Sequence, residues 1–180
     1  MATEKIICSG FGGQGIMSMG QLLAYAGMLE GKEVSWLPSY GPEMRGGTAN
    51  CSVIVSDKPV GSPVVTNDCS TAVVMNLPSL LKFESAIVPG GKILINSSLI
   101  EDKAERTDIT AYYVPANEIA QELGNIKVAN MVMLGAYLEL TKIVKVETVV
   151  EALRKVFGPS KEKLIPINEE ALARGAAAVK

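Results

Sequence analysis

Short apolar runs and longer apolar stretches alternate along this chain, and they predict strands and helices in turn. An apolar run of about 4–8 residues that stops at a turn is typical of a buried β-strand. Such runs predict six strands, over residues 5–9, 33–37, 48–56, 71–75, 92–96 and 111–114. Between the first two, the stretch from Ile16 to Leu29 is apolar on nearly every side, which predicts a helix buried between two layers.

The first strand, a glycine-rich turn, the buried helix and the second strand follow one another in the order of a βαβ unit. That order predicts that the strands at 5–9 and 33–37 form a parallel pair joined by a right-handed crossover. Further along, residues 78–85 predict a short helix, and Pro89-Gly90-Gly91 predicts a turn before the fifth strand.

The last third of the chain is predicted to be helical. Helices are expected over residues 115–123, 130–144, 146–157 and from 169 onward. Gly124 suits the position that follows a helix C-terminus, and Asn130 and Asn168 suit N-caps. Because the chain shows no repeat or linker, we predict a single α/β domain over residues 1–180, Rossmann-like, with a mostly parallel sheet flanked by helices.

Composition narrows the classes of function. Of the 180 residues 48% are hydrophobic and 20% are charged, and the formal net charge of -2 gives no basic surface for nucleic acid. The mean hydropathy of +0.25 is high, so either the sheet is buried on both faces or another chain covers apolar surface. The longest strongly apolar stretch, 128–140, is shorter than the ~20 residues that a bilayer requires. We therefore expect a soluble protein that does not span a membrane.

The chain contains no histidine and three cysteines, Cys8, Cys51 and Cys69. Triads and zinc sites that need histidine are excluded, and three widely spaced cysteines are too few for an iron–sulfur cluster or a structural zinc site. We expect no metal on this chain, buried reduced thiols and, in the absence of a signal peptide, a cytoplasmic location. No pair of side chains suggests a nucleophile with its base, so no catalytic residue is predicted.

The sequence Gly10-Phe11-Gly12-Gly13-Gln14-Gly15, which we call the glycine turn, fits G-x-G-x-x-G directly after a strand and before a helix. Glycines let a ligand approach the backbone, and the amides of a helix N-terminus face an anion, so the turn predicts binding of phosphate or pyrophosphate. The alternative is that the glycines only permit tight strand–helix packing. A nicotinamide dinucleotide is disfavoured, because the second strand ends in Leu37-Pro38-Ser39 without the acidic residue that binds the ribose.

A second loop, Ser39-Tyr40-Gly41-Pro42-Glu43-Met44-Arg45-Gly46-Gly47, is predicted to emerge at the same edge of the sheet as the glycine turn. Arg45 offers an anion a planar fork of donors, whereas Glu43 offers Arg45 a salt-bridge partner within the loop. A third possibility is that the loop docks another subunit. In the segment 130–136, methionines at helical spacing are typical of a core, and Gly135 is typical of close helix packing.

The two glycine-containing loops and the sequence Asn-Met-x-x-Leu-Gly-Ala at 130–136 closely resemble the gamma subunit of 2-oxoacid:ferredoxin oxidoreductases, and the resemblance spans essentially the whole chain. Within that family the chain is most similar to the subunit of 2-oxoglutarate:ferredoxin (acceptor) oxidoreductases. Relatives that act on branched-chain 2-oxoacids, pyruvate and indolepyruvate share the same motifs. The resemblance implies an enzyme that decarboxylates a 2-oxoacid oxidatively, forms an acyl-CoA and passes electrons to ferredoxin.

The resemblance also implies cofactors, partners and site residues. Thiamine diphosphate with Mg²⁺ and iron–sulfur clusters would belong to alpha, beta and delta-type subunits, with none bound tightly by this chain, and coenzyme A would be a substrate. Coenzyme A would be bound by Gly10, Gly12, Gly13, Gln14, Gly15 and Arg45. A cleft or subunit interface would be formed by Ser39, Tyr40, Gly41, Pro42, Glu43, Met44, Gly46, Gly47 and Asn130. The alternatives are a stand-alone nucleotide- or flavin-binding module and a purely structural assembly subunit.

Overall fold

The computed structural model describes residues 2–39 and 48–180, and these residues form a mixed sheet of six strands. The strands are β1 (Thr3–Phe11), β2 (Glu33–Ser39), β3 (Thr48–Ser56), β4 (Cys69–Val74), β5 (Ile87–Asn96) and β6 (Thr110–Val114). Their order is β2-β3-β1-β4-β5-β6, and β1, β4, β5 and β6 run parallel to one another. All six predicted strands are present, and the predicted Rossmann-like α/β fold with a mostly parallel sheet is confirmed.

Helices cover both faces of the sheet. They are α1 (Ile16–Leu29), α2 (Leu77–Phe83), α3 (Ala116–Glu122), α4 (Ala129–Thr141), α5 (Val146–Phe157) and α6 (Ile165–Ala177). Within the described residues three 3₁₀ turns accompany them, at Glu84–Ala86, Ile126–Val128 and Pro159–Leu164. α1 has its predicted bounds, and the predicted helical character of the last third is confirmed. None of the described helices is long and apolar enough to cross a bilayer.

The predicted pairing of the first two strands is wrong, because β3 lies between them. β1 and β2 run in the same direction, but each of them pairs antiparallel with β3. β3 takes the inner position because it is more deeply buried than β2. β3 is buried on both of its faces at Val53 and Ile54, whereas β2 is exposed at Glu33. β2 also contains Pro38, and a proline is tolerated in an edge strand but not in the middle of a sheet.

Two apolar clusters cover the two faces of the sheet. The face that carries Ile6 and Cys8 packs against α1, α3, α4, α5 and α6. The face that carries Ile7 and Ile54 packs against α2 and against apolar residues of the connecting segments before β4 and before β6. Burial of both faces of the sheet, one of the two explanations for the high mean hydropathy, is therefore present in most of its strands.

Helices α4 and α6 approach each other backbone to backbone at two glycines. A Cβ atom on Gly135 would lie 2.0 Å from the carbonyl oxygen of Leu172, and one on Gly175 would lie 1.8 Å from the carbonyl oxygen of Val132. No side chain fits at such distances without moving a backbone. The prediction that Gly135 permits close helix packing is confirmed, and α4 is buried at every residue from 129 to 138.

Asn130 and Asn168 lie inside helices rather than at their N-caps, so both cap predictions are wrong. α4 and α6 begin earlier because each is preceded by a 3₁₀ turn that continues directly into it. Asn168 is buried, and its Nδ2 atom donates to the carbonyl oxygen of Leu164 (2.7 Å), one helical turn before it. The side chain therefore satisfies a carbonyl at the junction between the 3₁₀ turn and the helix.

The predicted turn at residues 89–91 is a bulge inside β5. The pairing of β4 with β5 is interrupted between Cys69 and Thr71, where one residue of β4 lies opposite four residues of β5. Gly90 has a φ of +82°, and its N–H donates to the carbonyl oxygen of Asp108 (2.7 Å). The glycines therefore bend the strand locally without ending it.

Candidate functional site

The glycine turn runs from the end of β1 into α1, and two of its residues have backbone angles that favour glycine. Gly13 and Gly15 have φ values of +89° and +75°. The N–H of Gln14 donates to the carbonyl oxygen of Phe11 (3.2 Å), which closes the turn. A Cβ atom on Gly13 would meet no atom within 4 Å. The turn therefore leaves open space at Gly13, where a ligand can approach the backbone.

The side chain of Gln14 holds the turn to the sheet. Its Oε1 atom accepts from the N–H of Phe11 (2.6 Å), and its Nε2 atom donates to the carbonyl oxygen of Met75 (3.3 Å), directly after β4. A Cβ atom on Gly10 would lie 2.5 Å from Gln14 Oε1, so a glycine is needed there for the side chain to fold back. Both amide atoms of Gln14 thus have backbone partners, and this residue links the ends of β1 and β4.

Asn130 connects the glycine turn to α4. Its Nδ2 atom donates to the carbonyl oxygen of Gly15 (3.2 Å), and its Oδ1 atom accepts from the N–H of Met131 (2.9 Å). A Cβ atom on Gly15 would lie 2.4 Å from Asn130 Nδ2, so the contact requires glycine. The structure therefore brings together two of the motifs that the sequence singled out, although they lie 115 residues apart.

One cleft opens at the N-terminus of α1, and we call it the amide cleft. Its volume is about 290 Å³, and it is lined by Phe11, Gly12, Gly13, Gly15, Ile16, Met17, Ser18 and Ala49. Gly15 is the N-cap, no described side chain caps the helix, and its first turn contains no acidic residue. The backbone N–H groups of this turn have no acceptor within the helix. Such amides, with the positive end of the helix dipole, form a binding site for anions.

A second cleft lies on the other side of the glycine turn, and we call it the switch crevice. Its volume is about 140 Å³, and it is lined by Gly13, Gln14, Met75, Asn117, Ile126, Lys127 and Ala129. It lies beyond the carboxyl ends of the neighbouring strands β1 and β4. The helices that follow these strands, α1 and α2, cover opposite faces of the sheet. In open α/β sheets, such a switch point is the usual place for a ligand.

Ser39 lies exposed at the end of β2, and residues 40–47 lie outside the described part of the chain. The site assignments to Tyr40, Gly41, Pro42, Glu43, Met44, Arg45, Gly46 and Gly47 therefore stay predictions. The two residues that flank this segment are placed, because Ser39 pairs with Asn50 and Thr48 pairs with Phe11. Both lie at the edge of the sheet that carries the glycine turn, which confirms the predicted edge.

The three cysteines are all buried, as predicted. Cys8 and Cys51 lie opposite each other on β1 and β3, and the hydrogen bond between them, together with burial, raises the pKa of the Cys8 thiol well above its usual value. Burial raises the pKa of the Cys69 thiol to about 12. Among the described residues, no three side chains of His, Cys, Asp or Glu are grouped as metal ligands would be. Cys8 and Cys69 are therefore packing residues rather than nucleophiles. The hydrogen bond with Cys8 lowers the pKa of Cys51, but this thiol is fully buried.

Sequence comparison decides the family. Residues 5–178 match the family described as pyruvate ferredoxin/flavodoxin oxidoreductase. The chain belongs to that family. The ketoisovalerate oxidoreductase subunit VorA of Methanothermobacter marburgensis is 40% identical over 173 residues, which are 96% of this chain but 36% of that protein, so the chain spans about a third of this relative. The 2-oxoglutarate synthase subunit KorC of Methanocaldococcus jannaschii is 39% identical over 153 residues, 83% of this chain and 81% of that subunit.

Solved structures in this oxidoreductase family share the fold. The gamma subunit of a keto/oxoacid ferredoxin oxidoreductase from Geobacter sulfurreducens superposes with a TM-score of 0.83 at 29% identity, over 98% of both chains. The 2-oxoglutarate:ferredoxin oxidoreductase from Magnetococcus marinus, solved with 2-oxoglutarate, coenzyme A and succinyl-CoA bound, superposes with a TM-score of 0.88 at 26% identity. That match covers 99% of this chain and 31% of that one. The resemblance to an oxidoreductase gamma subunit is thereby confirmed.

The two polar side chains that α3 and the 3₁₀ turn before α4 bring to the switch crevice were missed by the sequence reasoning. Asn117 and Lys127 belong to none of the motifs that identify the oxidoreductase family, and they come from α3 and from the 3₁₀ turn before α4. One local signal was present, because the side chain of Asn125 accepts from the N–H of Lys127 (3.0 Å) and so marks the start of that 3₁₀ turn. Nothing in the sequence indicated that this turn meets the glycine turn.

Proposed function

We propose that this chain is the gamma subunit of a multi-subunit 2-oxoacid:ferredoxin oxidoreductase. In that reaction a 2-oxoacid and coenzyme A yield an acyl-CoA and carbon dioxide, and two electrons pass to ferredoxin. The family match over residues 5–178 and the likeness to the G. sulfurreducens gamma subunit support this role. We propose 2-oxoglutarate as the substrate, which the KorC relative and the M. marinus structure support. The VorA relative makes ketoisovalerate the alternative.

Thiamine diphosphate with its Mg²⁺ and the iron–sulfur clusters belong to the alpha, beta and delta-type partners in this proposal. The described residues do not fit the clusters or the cation. Cluster ligands would have to be Cys8, Cys51 and Cys69, which are buried in β1, β3 and β4. Among the described residues, no carboxylates are grouped to hold a cation. The part of this chain in the reaction is therefore binding rather than redox chemistry.

The task that we assign to this chain is contact with coenzyme A. The observation that carries the assignment is the glycine turn, which presents the first-turn amides of α1 to the amide cleft and leaves open space at Gly13. These amides would hold a phosphate group, with Arg45 as the cationic partner. Gln14 and Asn130 act by holding the turn in shape, since their amides bond to the backbone.

A substitution at Gly13 tests this assignment. In the reconstituted complex, we expect Gly13→Ala to raise the KM for coenzyme A about tenfold, because the methyl group enters the space that the ligand approaches. Gly90→Ala is the matched control, since Gly90 also has a positive φ (+82°) and a Cβ atom there also meets nothing within 4 Å. Both variants carry similar backbone strain, but Gly90 lies in the β5 bulge, away from both clefts. Equal KM values for the two variants would contradict the assignment.

The substrate and the partners need a separate experiment. Affinity purification of the tagged chain from its host under anaerobic conditions, followed by mass spectrometry and a panel of 2-oxoacids, identifies both. We expect thiamine- and cluster-binding subunits to copurify, with the highest kcat/KM for 2-oxoglutarate. Activity confined to ketoisovalerate would assign the alternative substrate. A nucleotide or flavin recovered on the chain without partner subunits would favour a stand-alone binding module.

A further inference from the structure

We infer that the switch crevice binds a phosphate group of coenzyme A and that Asn117 and Lys127 are its binding residues. The inference rests on the proposed contact with coenzyme A and adds a second site on the other side of the glycine turn. Coenzyme A carries a pyrophosphate and a separate 3′-phosphate. Gly13 lines both the amide cleft and the switch crevice, so two phosphate-bearing parts of one ligand can reach the two clefts.

The side-chain amide of Asn117 is oriented by a second asparagine, Asn96, which is fully buried. The Oδ1 atom of Asn96 accepts from the N–H groups of Ala116 (3.2 Å) and Ser98 (3.3 Å). Its Nδ2 atom is left to donate, and it donates to Asn117 Oδ1 (2.8 Å). The Nδ2 atom of Asn117 therefore remains as a pair of N–H donors on a side chain that lines the crevice.

Lys127 supplies the positive charge. It is the one charged residue among the described residues that line the crevice. Within the described part of the chain it forms no ion pair, so no described carboxylate neutralises its charge. The hydrogen bond from its N–H to Asn125 fixes its backbone beside the glycine turn.

The two side-chain acceptors at the crevice, Gln14 Oε1 and Asn117 Oδ1, are already used by the protein. The carbonyl oxygen of Met75 accepts from Gln14, and Gln14 Oε1 accepts from Phe11. Since the oxygen of Asn117 is also bonded, the side-chain groups left for a ligand are the amide N–H groups of Asn117 and the ammonium group of Lys127. Side chains that offer a ligand N–H donors and no free acceptor select an anion. Amide and ammonium donors bind phosphate oxygens strongly. The volume of about 140 Å³ is several times the ~30 Å³ of one water molecule, so a phosphate group fits.

Equilibrium binding of coenzyme A to the assembled complex, without a 2-oxoacid, tests the inference. Asn117→Asp keeps the acceptor for Asn96 but replaces the donors by a negative oxygen, and Lys127→Ala removes the positive charge from an exposed position. We expect each to raise the Kd for coenzyme A about tenfold or more, as the loss of a charge-assisted hydrogen bond does. Asn67→Asp and Lys58→Ala make the same charge changes at exposed positions by the opposite edge of the sheet, and they should leave the Kd unchanged.

Dephospho-coenzyme A, which lacks the 3′-phosphate, distinguishes the two phosphates. If the two variants lose affinity for coenzyme A but not for the dephospho form, the 3′-phosphate occupies the crevice, and if they lose affinity for both, the pyrophosphate does. Wild-type affinity in both variants, with weaker binding in Gly13→Ala, would overturn the inference and leave the proposed contact with coenzyme A standing. Wild-type affinity in all three variants would overturn both.

Discussion

A comparison of Asn130→Ala with Asn130→Asp distinguishes two contributions of Asn130 to stability. One is the volume of its side chain, and the other is its hydrogen bond to the glycine turn. The carbonyl oxygen of Gly15 accepts from Asn130 Nδ2 (3.2 Å) and also from the N–H of Met19 (3.0 Å). Asn130→Ala therefore leaves that oxygen with one partner. We expect the free energy of unfolding to fall by about 1–2 kcal/mol, the cost of one ordinary hydrogen bond and a small void.

Asn130→Asp keeps the shape of the side chain but places a carboxylate oxygen against the carbonyl oxygen of Gly15. The site is 7% exposed. Burial and the facing oxygen disfavour the charged form, whereas the N–H of Met131 favours it. We expect the first two to prevail and to raise the pKa of the new carboxyl group above its usual value near 3.9. In the unfolded chain the new carboxyl group ionises above its usual pKa, whereas in the folded chain it ionises only at a higher pH. The loss of stability therefore appears as the pH rises above about 4 and shrinks as the pH falls below it.

Urea unfolding of the purified chain, followed by circular dichroism at about pH 7 and about pH 4, measures both effects. Asn67→Asp is the control, because Asn67 is exposed and its substitution adds the same charge. The reasoning would be refuted if Asn130→Asp were as stable as Asn130→Ala at neutral pH. It would also be refuted if Asn130→Asp lost the same free energy of unfolding at both pH values. That result would mean that the Asn130 amide does not donate to Gly15 in the wild-type chain.

The other predictions concern the helix contact and one thiol. Gly135→Ala and Gly175→Ala should each lower the free energy of unfolding in urea by about 1–3 kcal/mol or more, because the added methyl group meets a backbone carbonyl. Gly61→Ala, where a Cβ atom meets nothing within 4 Å, should be nearly neutral, and equal losses in all three would contradict the backbone contact. Because burial raises the pKa of Cys69 to about 12, a thiol-specific disulfide reagent at about pH 8 should label it only after unfolding. Rapid labelling of the native chain would show that this thiol is accessible.

Local signals explain which parts of the fold could be predicted from the sequence. α1 has its predicted bounds because both of its ends are marked, by the glycine turn and by Gly31. The position of β3 between β1 and β2 has no such mark. Strand order depends on burial across the whole sheet, and Pro38 was the one local hint that β2 is an edge strand. Asn130 resembled an N-cap, but the cap lies earlier, at Asn125, because the 3₁₀ turn that Asn125 begins continues directly into α4.

The sequence predicted the part of the candidate site whose residues are neighbours along the chain. The glycine turn was recognised from its spacing, and its positive φ values at Gly13 and Gly15 agree with that reasoning. The motif did not show that Gln14 bonds to the backbone, since a glutamine among glycines has the same pattern whether it faces a ligand or the sheet. Asn117 and Lys127 meet the turn only through the packing of α3 and α4, which no short sequence encodes.

The helix contact between α4 and α6 has a consequence for the order of events during synthesis. The carbonyl oxygen of Gly15 accepts a hydrogen bond from Asn130, a residue that is synthesised 115 residues later. The helix that carries Asn130, α4, packs against the backbone of α6 at Leu172. For most of translation the glycine turn is therefore present without the bond from Asn130 that ties it to α4. Domains fold as units once their contacts have emerged from the ribosome. We thus expect a nascent chain that has not yet extended its last helix to carry the motif but not the binding site.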